Sequence, residues 1–256
     1  MRTVVVIPTY NERENILPLI ERCAALPFCP DLYFIDDGSP DGTGELLESL
    51  RFSYPRLRVM HRPGKLGLGS AYRQAFRHLL PESYNRYMAM DADLSHRPES
   101  IPDLLRASSE ADLVIGSRYS PGGATKNWSA ARQLLSRTAN HVVRSLLGLK
   151  VKDATAGFRC YRGELLAALD RLDMRSNGYS FQVETTYYAQ VMGFRIREEP
   201  ILFEERVRAK SKMSWSEVTS AMRTICRLLR HRCSGDVVRQ SAQSRSSGVG
   251  ERNAAT

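Results

Sequence analysis

The chain reads as an α/β protein built on a mainly parallel sheet with helices on both faces. Short apolar runs rich in β-branched residues recur as far as Gly116, each closed by Gly, Pro or Asp turn signals. Between them lie segments whose apolar residues follow steps of three and four, the helical period. Strands alternating with helices favour parallel pairing with both faces covered. In such sheets ligands collect beyond the carboxyl ends of the strands.

Residues 3–8 form the first strand, Thr-Val-Val-Val-Ile, ended by Pro8. Residues 11–25 are helical, with Ile16, Leu19, Ile20, Cys23 and Ala24 on one side. Residues 32–35 are a buried strand, closed by the dense turn signal Asp36-Asp37-Gly38-Ser39-Pro40-Asp41-Gly42. A helix follows from Thr43 to about Leu50, a strand at 57–60, and a helix from Gly69 to Leu80. Residues 86–90 form the fourth strand, 98–108 another helix and 112–116 the fifth strand. Beyond the Pro121-Gly122-Gly123 loop, residues 132–147 read as an amphipathic helix with Leu134, Leu135, Ala139, Val142, Val143, Leu146 and Leu147 on its apolar side. A helix at 185–192, a strand at 200–204 and a basic amphipathic helix at 214–232 follow. From Cys233 the Ser-, Gln- and Arg-rich tail, with few apolar anchors, is expected to be disordered.

Composition bounds the function. The 256 residues are 42% hydrophobic and 25% charged, an ordinary globular mixture. No apolar run is long enough for a transmembrane helix, and the N-terminus lacks a signal-peptide pattern, so a cytoplasmic location is expected. The five cysteines show no zinc-type spacing and are expected to be free thiols. The net charge of +9 fits phosphorylated ligands or an anionic lipid surface. No nucleic-acid module or aromatic interleaving accompanies it, so no nucleic-acid partner is expected.

The polar clusters fall where the strands end: Tyr10-Asn11-Glu12 after the first, Asp36-Asp37 after the second, Asp91 and Asp93 after the fourth, Arg118 after the fifth. Two carboxylates two residues apart at a strand end are costly to leave unpaired. A hard cation bridging to a diphosphate offsets that cost, because Mg²⁺ and Mn²⁺ take one or two carboxylates plus substrate phosphates. The Asp36–Thr43 turn suits either a ribose or base contact or a helix N-terminus capped by Asp41 or Thr43. Gly64-Lys65-Leu66-Gly67-Leu68-Gly69 opens a helix but is not the dinucleotide fingerprint, and its glycines suit close packing. Lys65 can still reach a phosphate. Arg118, Arg132, Arg206 and Lys212 are candidate phosphate ligands. Gln182 and Glu184 precede a helix and suit either a pocket wall or a helix N-terminus.

Together these stretches resemble the dolichyl- or polyprenyl-phosphate mannosyltransferases of glycosyltransferase family 2. The resemblance lies in residues 8–15, 36–43, 65–69, 90–96, 116–119, 155–159, 178–182 and 211–214, in that order. It implies a GT-A fold with a Rossmann-like sheet, and an inverting transfer of mannose from GDP-mannose to a polyprenyl phosphate. One catalytic domain over 1–232 is implied, with a nucleotide-sugar half at 1–117, an acceptor half at 118–213 and the helix at 214–232. By the same resemblance Pro8, Tyr10, Glu12, Ile35, Asp37, Asp91 and Ala92 contact the donor, and Arg206 and Lys212 close over its diphosphate. Asp93 is the implied ligand of Mg²⁺ or Mn²⁺; Ser95 stands where archaeal relatives have a Gln ligand. Arg118 and Arg132 hold the acceptor phosphate, and Gln182 is expected on the acceptor side.

The alternatives are a family 2 transferase with another nucleotide sugar or a non-lipid acceptor, a sugar-phosphate nucleotidyltransferase, and a basic membrane-surface scaffold. The first strand ends without a glycine-rich nucleotide loop, which disfavours the nucleotidyltransferase, and a scaffold has no need of Asp93. A lipid acceptor implies peripheral contact with the cytoplasmic face of a membrane, or with a membrane-anchored partner. The 214–232 helix, with Trp215, Val218, Met222, Ile225 and Leu229 in one stripe and a basic remainder, suits either membrane docking or packing on the domain.

Overall fold

A computed structural model describes residues 1–205 and the backbone of 215–234, with side chains in the last helix at 219 and 221–230. The strands are β1 (Thr3–Thr9), β2 (Asp31–Asp36), β3 (Leu57–His61), β4 (Arg86–Ala89), β5 (Leu113–Ser117), β6 (Ala124–Lys126), β7 (Arg159–Tyr161), β8 (Ile196–Pro200) and β9 (Leu202–Glu204). The α-helices are α1 (Arg13–Ala24), α2 (Thr43–Leu50), α3 (Leu68–Leu79), α4 (Ile101–Ala107), α5 (Ala130–Leu147), α6 (Gly163–Asp170), α7 (Tyr179–Val191) and α8 (Trp215–Ser234).

Seven strands form the main sheet in the order β3-β2-β1-β4-β7-β5-β8, and β6 and β9 pair separately. Every pairing in the main sheet is parallel except those of β7, which runs antiparallel between β4 and β5. The expected mainly parallel sheet is present, and the antiparallel insert has a consequence for the site. The parallel strands deliver their carboxyl ends to one edge. A reversed strand delivers its amino end there, so residues 153–158, just before β7, join the same edge.

The two-residue period of β1 divides the core. Val4 and Val6 face one apolar cluster with Tyr33, Ile35, Tyr72, Phe76 and the residues of α6 and α7. Val5 and Ile7 face the other, with Ile16, Leu19 and Ile20 of α1 and Leu104 of α4. Both faces are covered, which explains why the strands read as continuous apolar runs rather than as alternating patterns.

Several elements differ from the sequence expectation. The first strand runs through Pro8 to Thr9; a proline is tolerated there because Pro8 lies beyond Val6, the last residue that β1 pairs with β4. The strand expected at 200–204 is two strands in two sheets, broken at Ile201. Helix α7 begins at Tyr179, so Gln182 and Glu184 lie inside it rather than before it. Helix α8 continues through Cys233 and Ser234, where a disordered tail was expected; residues 235–256 lie outside the described residues.

Most of the apolar side expected on α5 faces away from the core, although Val143 packs partly buried against the first cluster. Leu134, Leu135, Val142 and Leu146 are 68%, 55%, 45% and 42% exposed, and only Leu147 of that side is buried. Conversely, α8 packs on the domain. Ile225 and Leu228 are buried in the first cluster, and Arg227 reaches inward to Glu184 at 2.5 Å. Glu184 is fully buried and also accepts the Ser176 N–H at 3.1 Å, so its role is to anchor α8 rather than to line a pocket.

Candidate active site

The sheet edge assembles the expected clusters. The loops after β1 and β2 are stitched together: Asp37 N–H donates to Thr9 O (3.0 Å), Asn11 N–H to Ser39 Oγ (3.0 Å) and Glu12 N–H to Thr43 Oγ1 (3.1 Å). Asn11 adopts φ +60° to make this turn, a conformation Asn tolerates better than most residues. Asp41 accepts both the N–H (3.0 Å) and the hydroxyl (2.6 Å) of Thr43, the first residue of α2. The N-cap position is Gly42, in the left-handed conformation at φ +82° and without a side-chain cap, so neither Asp41 nor Thr43 is the cap in that turn. Asp36 is buried beneath it, accepting the Ser39 N–H at 3.2 Å.

Asp37 has a different environment. It is buried beside the Arg62 guanidinium, with Nε 3.1 Å from Oδ1, and accepts the Leu66 N–H at 3.2 Å. Burial raises its carboxyl above the usual 3.8, and Arg62 and the backbone donors offset that only in part. Lys65 lies 4.5 Å from the centre of the Tyr10 ring, and Asn15 donates to Glu12 at 2.7 Å. The glycines of this loop serve packing: a Cβ at Gly69 would stand 2.4 Å from Ser176 O, and Gly67 has φ +95°. The side chains of Ile35 and Ala92 are buried in the core clusters, which leaves the main chain at these positions for the expected contact.

After β4 the chain turns sharply. Asp93 is buried and Asp91 half-buried. Asp93 Oδ1 accepts the Ser95 N–H at 3.0 Å. Ser95 is 1% exposed, and its hydroxyl has no hydrogen-bond partner among the described residues. An orphaned buried oxygen two residues beyond an acid fits a hard, oxygen-seeking cation. Gly157 packs closely against this turn: a Cβ there would stand 3.3 Å from His96 Cε1 and 3.5 Å from both Asp91 carboxylate oxygens. Among the described residues no group of three or more His, Cys, Asp or Glu could hold a metal by itself. A cation shared with a diphosphate needs only one or two carboxylates.

Further along the same edge, after β5, Arg118 is buried and grips Asp153. Its Nε and Nη2 each donate to that carboxylate at 2.7 Å, and its backbone N–H donates at 3.0 Å. Nη2 also reaches Thr155 Oγ1 at 2.8 Å. Burial opposes the charged form, but Asp153 outweighs it and holds the guanidinium above its ordinary value. The planar fork uses one edge for Asp153, and Nη1 takes no part in these bonds. Arg132 pairs with Glu205. Both guanidinium groups sit over Trp128, Arg118 at 5.5 Å and Arg132 at 4.3 Å from the ring centre. The structure therefore brings these two expected phosphate ligands together around one indole. Arg206 and Lys212 lie outside the described residues.

Gln182, 1% exposed, carries an amide whose nitrogen and oxygen have no partner among the described residues. Near it Arg159, fully buried, donates to Ala154 O (2.9 Å), Ala156 O (2.7 Å), Thr185 Oγ1 (2.8 Å) and Thr186 Oγ1 (3.0 Å). It ties the 154–157 segment, which links the Asp153 and Asp91 ends of the site, to α7. The sequence reading did not single out Asp153 or assign Arg159 a role. The detectable signal was weak: an Asp and an Arg bracketing Thr155-Ala156-Gly157-Phe158.

Residues 4–169 match the family Glycosyl transferase family 2. The chain belongs to glycosyltransferase family 2. The expected GT-A architecture and the reading of the chain as a glycosyltransferase both stand. The polyprenol monophosphomannose synthase of Mycolicibacterium smegmatis is 48% identical over 225 residues, covering 86% of this chain and 84% of that protein. The undecaprenyl-phosphate mannosyltransferase of Micrococcus luteus is 43% identical over 227 residues, covering 89% and 93%. Among solved structures, the glucosyl-3-phosphoglycerate synthase of Mycobacterium tuberculosis with uridine diphosphate shares the fold, with a TM-score of 0.61 at 21% identity over 91% of this chain and 80% of that one. A form of that enzyme with Mn²⁺, uridine diphosphate and glucosyl-3-phosphoglycerate superposes with a TM-score of 0.62, at 21% identity over the same shares of the two chains.

Proposed function

We propose that this family 2 enzyme transfers mannose from GDP-mannose to a polyprenyl monophosphate, yielding polyprenyl phosphomannose and GDP with inversion at the anomeric carbon. The observation that carries the reading is the division of one sheet edge. Acids at Asp91 and Asp93 stand at one end, and Arg118 and Arg132 around Trp128 at the other. Relatives nearly half identical are named for this class of acceptor.

Such an edge can align two anions. Arg118 and Arg132, with Gln182, hold the acceptor phosphate; Pro8, Tyr10, Glu12, Asp37 and Asp91 hold the nucleotide sugar, with the main chain at Ile35 and Ala92. Arg206 and Lys212 belong to the diphosphate. A phosphate oxygen attacks the anomeric carbon as the bond to the β-phosphate breaks, and the electron pair leaves with GDP. The acceptor phosphate carries most of its second charge at neutral pH, so no side chain has to remove a proton. The work of the protein is orientation and charge stabilisation. Asp93, with Ser95 Oγ beside it, suits Mg²⁺ or Mn²⁺, which when bound supplies Lewis-acid stabilisation of the leaving diphosphate.

No helix among the described residues is long and apolar enough to cross a membrane, and of the two readings of α8, docking or packing, the helix is packed on the domain. The exposed face of α5 takes its place in the proposal. At about 100° per residue, Leu134, Leu135, Val142 and Leu146 fall within an arc of about 120°. Exposed Arg137 and His141 border that arc, suiting an anionic lipid surface. Tyr119, next to Arg118, bonds Ser136 of this helix at 2.7 Å, so docking there brings the acceptor end of the site to the headgroups.

Two measurements test the reading. Incubation with GDP-mannose, UDP-glucose and a short polyprenyl phosphate should give a mannolipid only, and Asp93→Ala should give none while remaining folded. Vesicles containing anionic lipid should float the wild type and leave a Leu135→Glu/Val142→Glu variant at the bottom. A glucolipid or non-lipid product rules out the first assignment, and equal flotation removes α5 from the second.

A further inference from the structure

The turn bearing Asp91 and Asp93 is strained and is closed from behind by one side chain. Leu94 adopts φ +62°, a left-handed conformation unfavourable for a residue with a branched side chain. Such strain persists only where the surroundings over-determine it. Here two hydrogen bonds do so. Ser95 N–H donates to Asp93 Oδ1 at 3.0 Å, and Asp91 N–H donates to His96 Nδ1 at 3.1 Å.

The imidazole is itself immobilised. It is 1% exposed, stacks on Phe158 at 5.1 Å between ring centres and meets the edge of Phe203 at 5.4 Å. An N–H pointing at Nδ1 requires the lone pair there, which places the ring proton on Nε2. His96 Nδ1 also lies 3.7 Å from Asp91 Oδ2. The ring therefore meets both the backbone and the carboxylate of Asp91, while Gly157, whose Cβ would approach His96 Cε1 to 3.3 Å, leaves the ring its space.

We infer that His96 is a positioning residue for the metal and diphosphate end of the site: its Nδ1 acceptor locks the Asp91–Asp93 turn in the strained form that holds both carboxylates at the sheet edge. The inference rests on the reading of Asp93 as the metal ligand. It differs from the simpler view of His96 as a packed core aromatic, because the acceptor atom, not the ring volume, does the holding.

Two substitutions separate those roles. His96→Phe keeps the stack on Phe158 and removes the acceptor. His96→Asn removes the stack and places an amide oxygen where Nδ1 stands. The readout is Mn²⁺ binding in the presence of GDP, followed by the spin-resonance signal of free Mn²⁺, with no acceptor and no turnover. Losing the bond and burying the Asp91 N–H unpaired should weaken Mn²⁺ about tenfold in His96→Phe, and His96→Asn should stay within about threefold of wild type. Adding Leu94→Gly to His96→Phe should recover part of the loss, since glycine adopts positive φ freely. If His96→Phe does not fold, His96→Gln, whose amide extends one bond further, replaces it with the same expectation. Wild-type affinity in His96→Phe, or equal loss in His96→Asn, overturns the inference while loss of binding in Asp93→Ala leaves the metal-site reading intact. Wild-type Mn²⁺ affinity in Asp93→Ala removes both.

Discussion

Truncating Asp153 to Ala should be among the most damaging single changes in this protein, although the residue binds no substrate in the proposed reaction. Its side chain is 0% exposed and that of Arg118 is 7% exposed. Asp153→Ala leaves a guanidinium in the interior with its Nε and one backbone N–H unanswered. Two charge-assisted bonds at about 1.5–3 kcal/mol each give a loss of about 3–6 kcal/mol. Breaking a buried ion pair from one side costs about 3–5 kcal/mol, so the two routes agree. For a chain of this length that lowers Tm by about 6–20 °C. Urea unfolding followed by circular dichroism, with linear extrapolation and an unchanged slope, measures it. An Arg118→Met/Asp153→Leu double variant should recover most of the stability, because an apolar pair carries no uncompensated charge, yet it should remain unable to use the acceptor. A loss below about 1 kcal/mol in Asp153→Ala, the worth of a surface pair, would refute the argument that this pair is buried and holds Arg118 in place.

Arg227→Ala should cost about 2–3 kcal/mol by the same urea assay, since it strands the buried Glu184 carboxylate; Arg230→Ala, at an exposed position, should stay within about 0.5 kcal/mol. Burial raises the Asp37 carboxyl above 3.8, so the native state holds this proton more tightly than the unfolded chain, and that contribution to stability is present below 3.8 and is lost as pH rises through the raised value. Nucleotide affinity that depends on ionised Asp37 should fall as pH descends through the raised value, and calorimetric titration of GDP against pH should show this limb in the wild type and lose it in Asp37→Asn. Burial pushes the thiols of Cys23 and Cys160 up to about 12, leaving almost no thiolate at neutral pH. Peptide mapping after iodoacetamide should find exposed Cys29 and Cys226 labelled first, with Cys23 and Cys160 protected until the protein is denatured.

Much of the fold was legible because the signals are local. The buried strands at 3–8, 32–35, 57–60, 86–90 and 112–116 appear as apolar runs bounded by turns, and each corresponds to a strand within a residue or two. Parallel connectivity follows from their alternation with helices, and with it the gathering of Tyr10, Asp37, Asp93 and Arg118 at one edge. The short β7 was missed because Arg159-Cys160-Tyr161 is only three residues long and begins with a charge. Its direction depends on where it inserts between β4 and β5, which no local pattern encodes.

What the amino-acid sequence determines by itself is periodicity, and periodicity specifies that a face is apolar without saying what covers it. On that ground α5 and α8 were equivalent, and only the tertiary structure separated them. It buries Ile225 and Leu228 of α8 and leaves Leu134, Leu135, Val142 and Leu146 of α5 exposed. The same holds for charge. Arg118 could be read as a phosphate ligand from its place after a strand, but its partner lies 35 residues away. Asp153 meets it because β7 runs against its neighbours and returns residues 153–158 to the edge where β5 ends. Residue type and spacing thus predict which groups reach the site, whereas the pairing that holds each group there depends on contacts distant in sequence that exist only once the sheet has assembled.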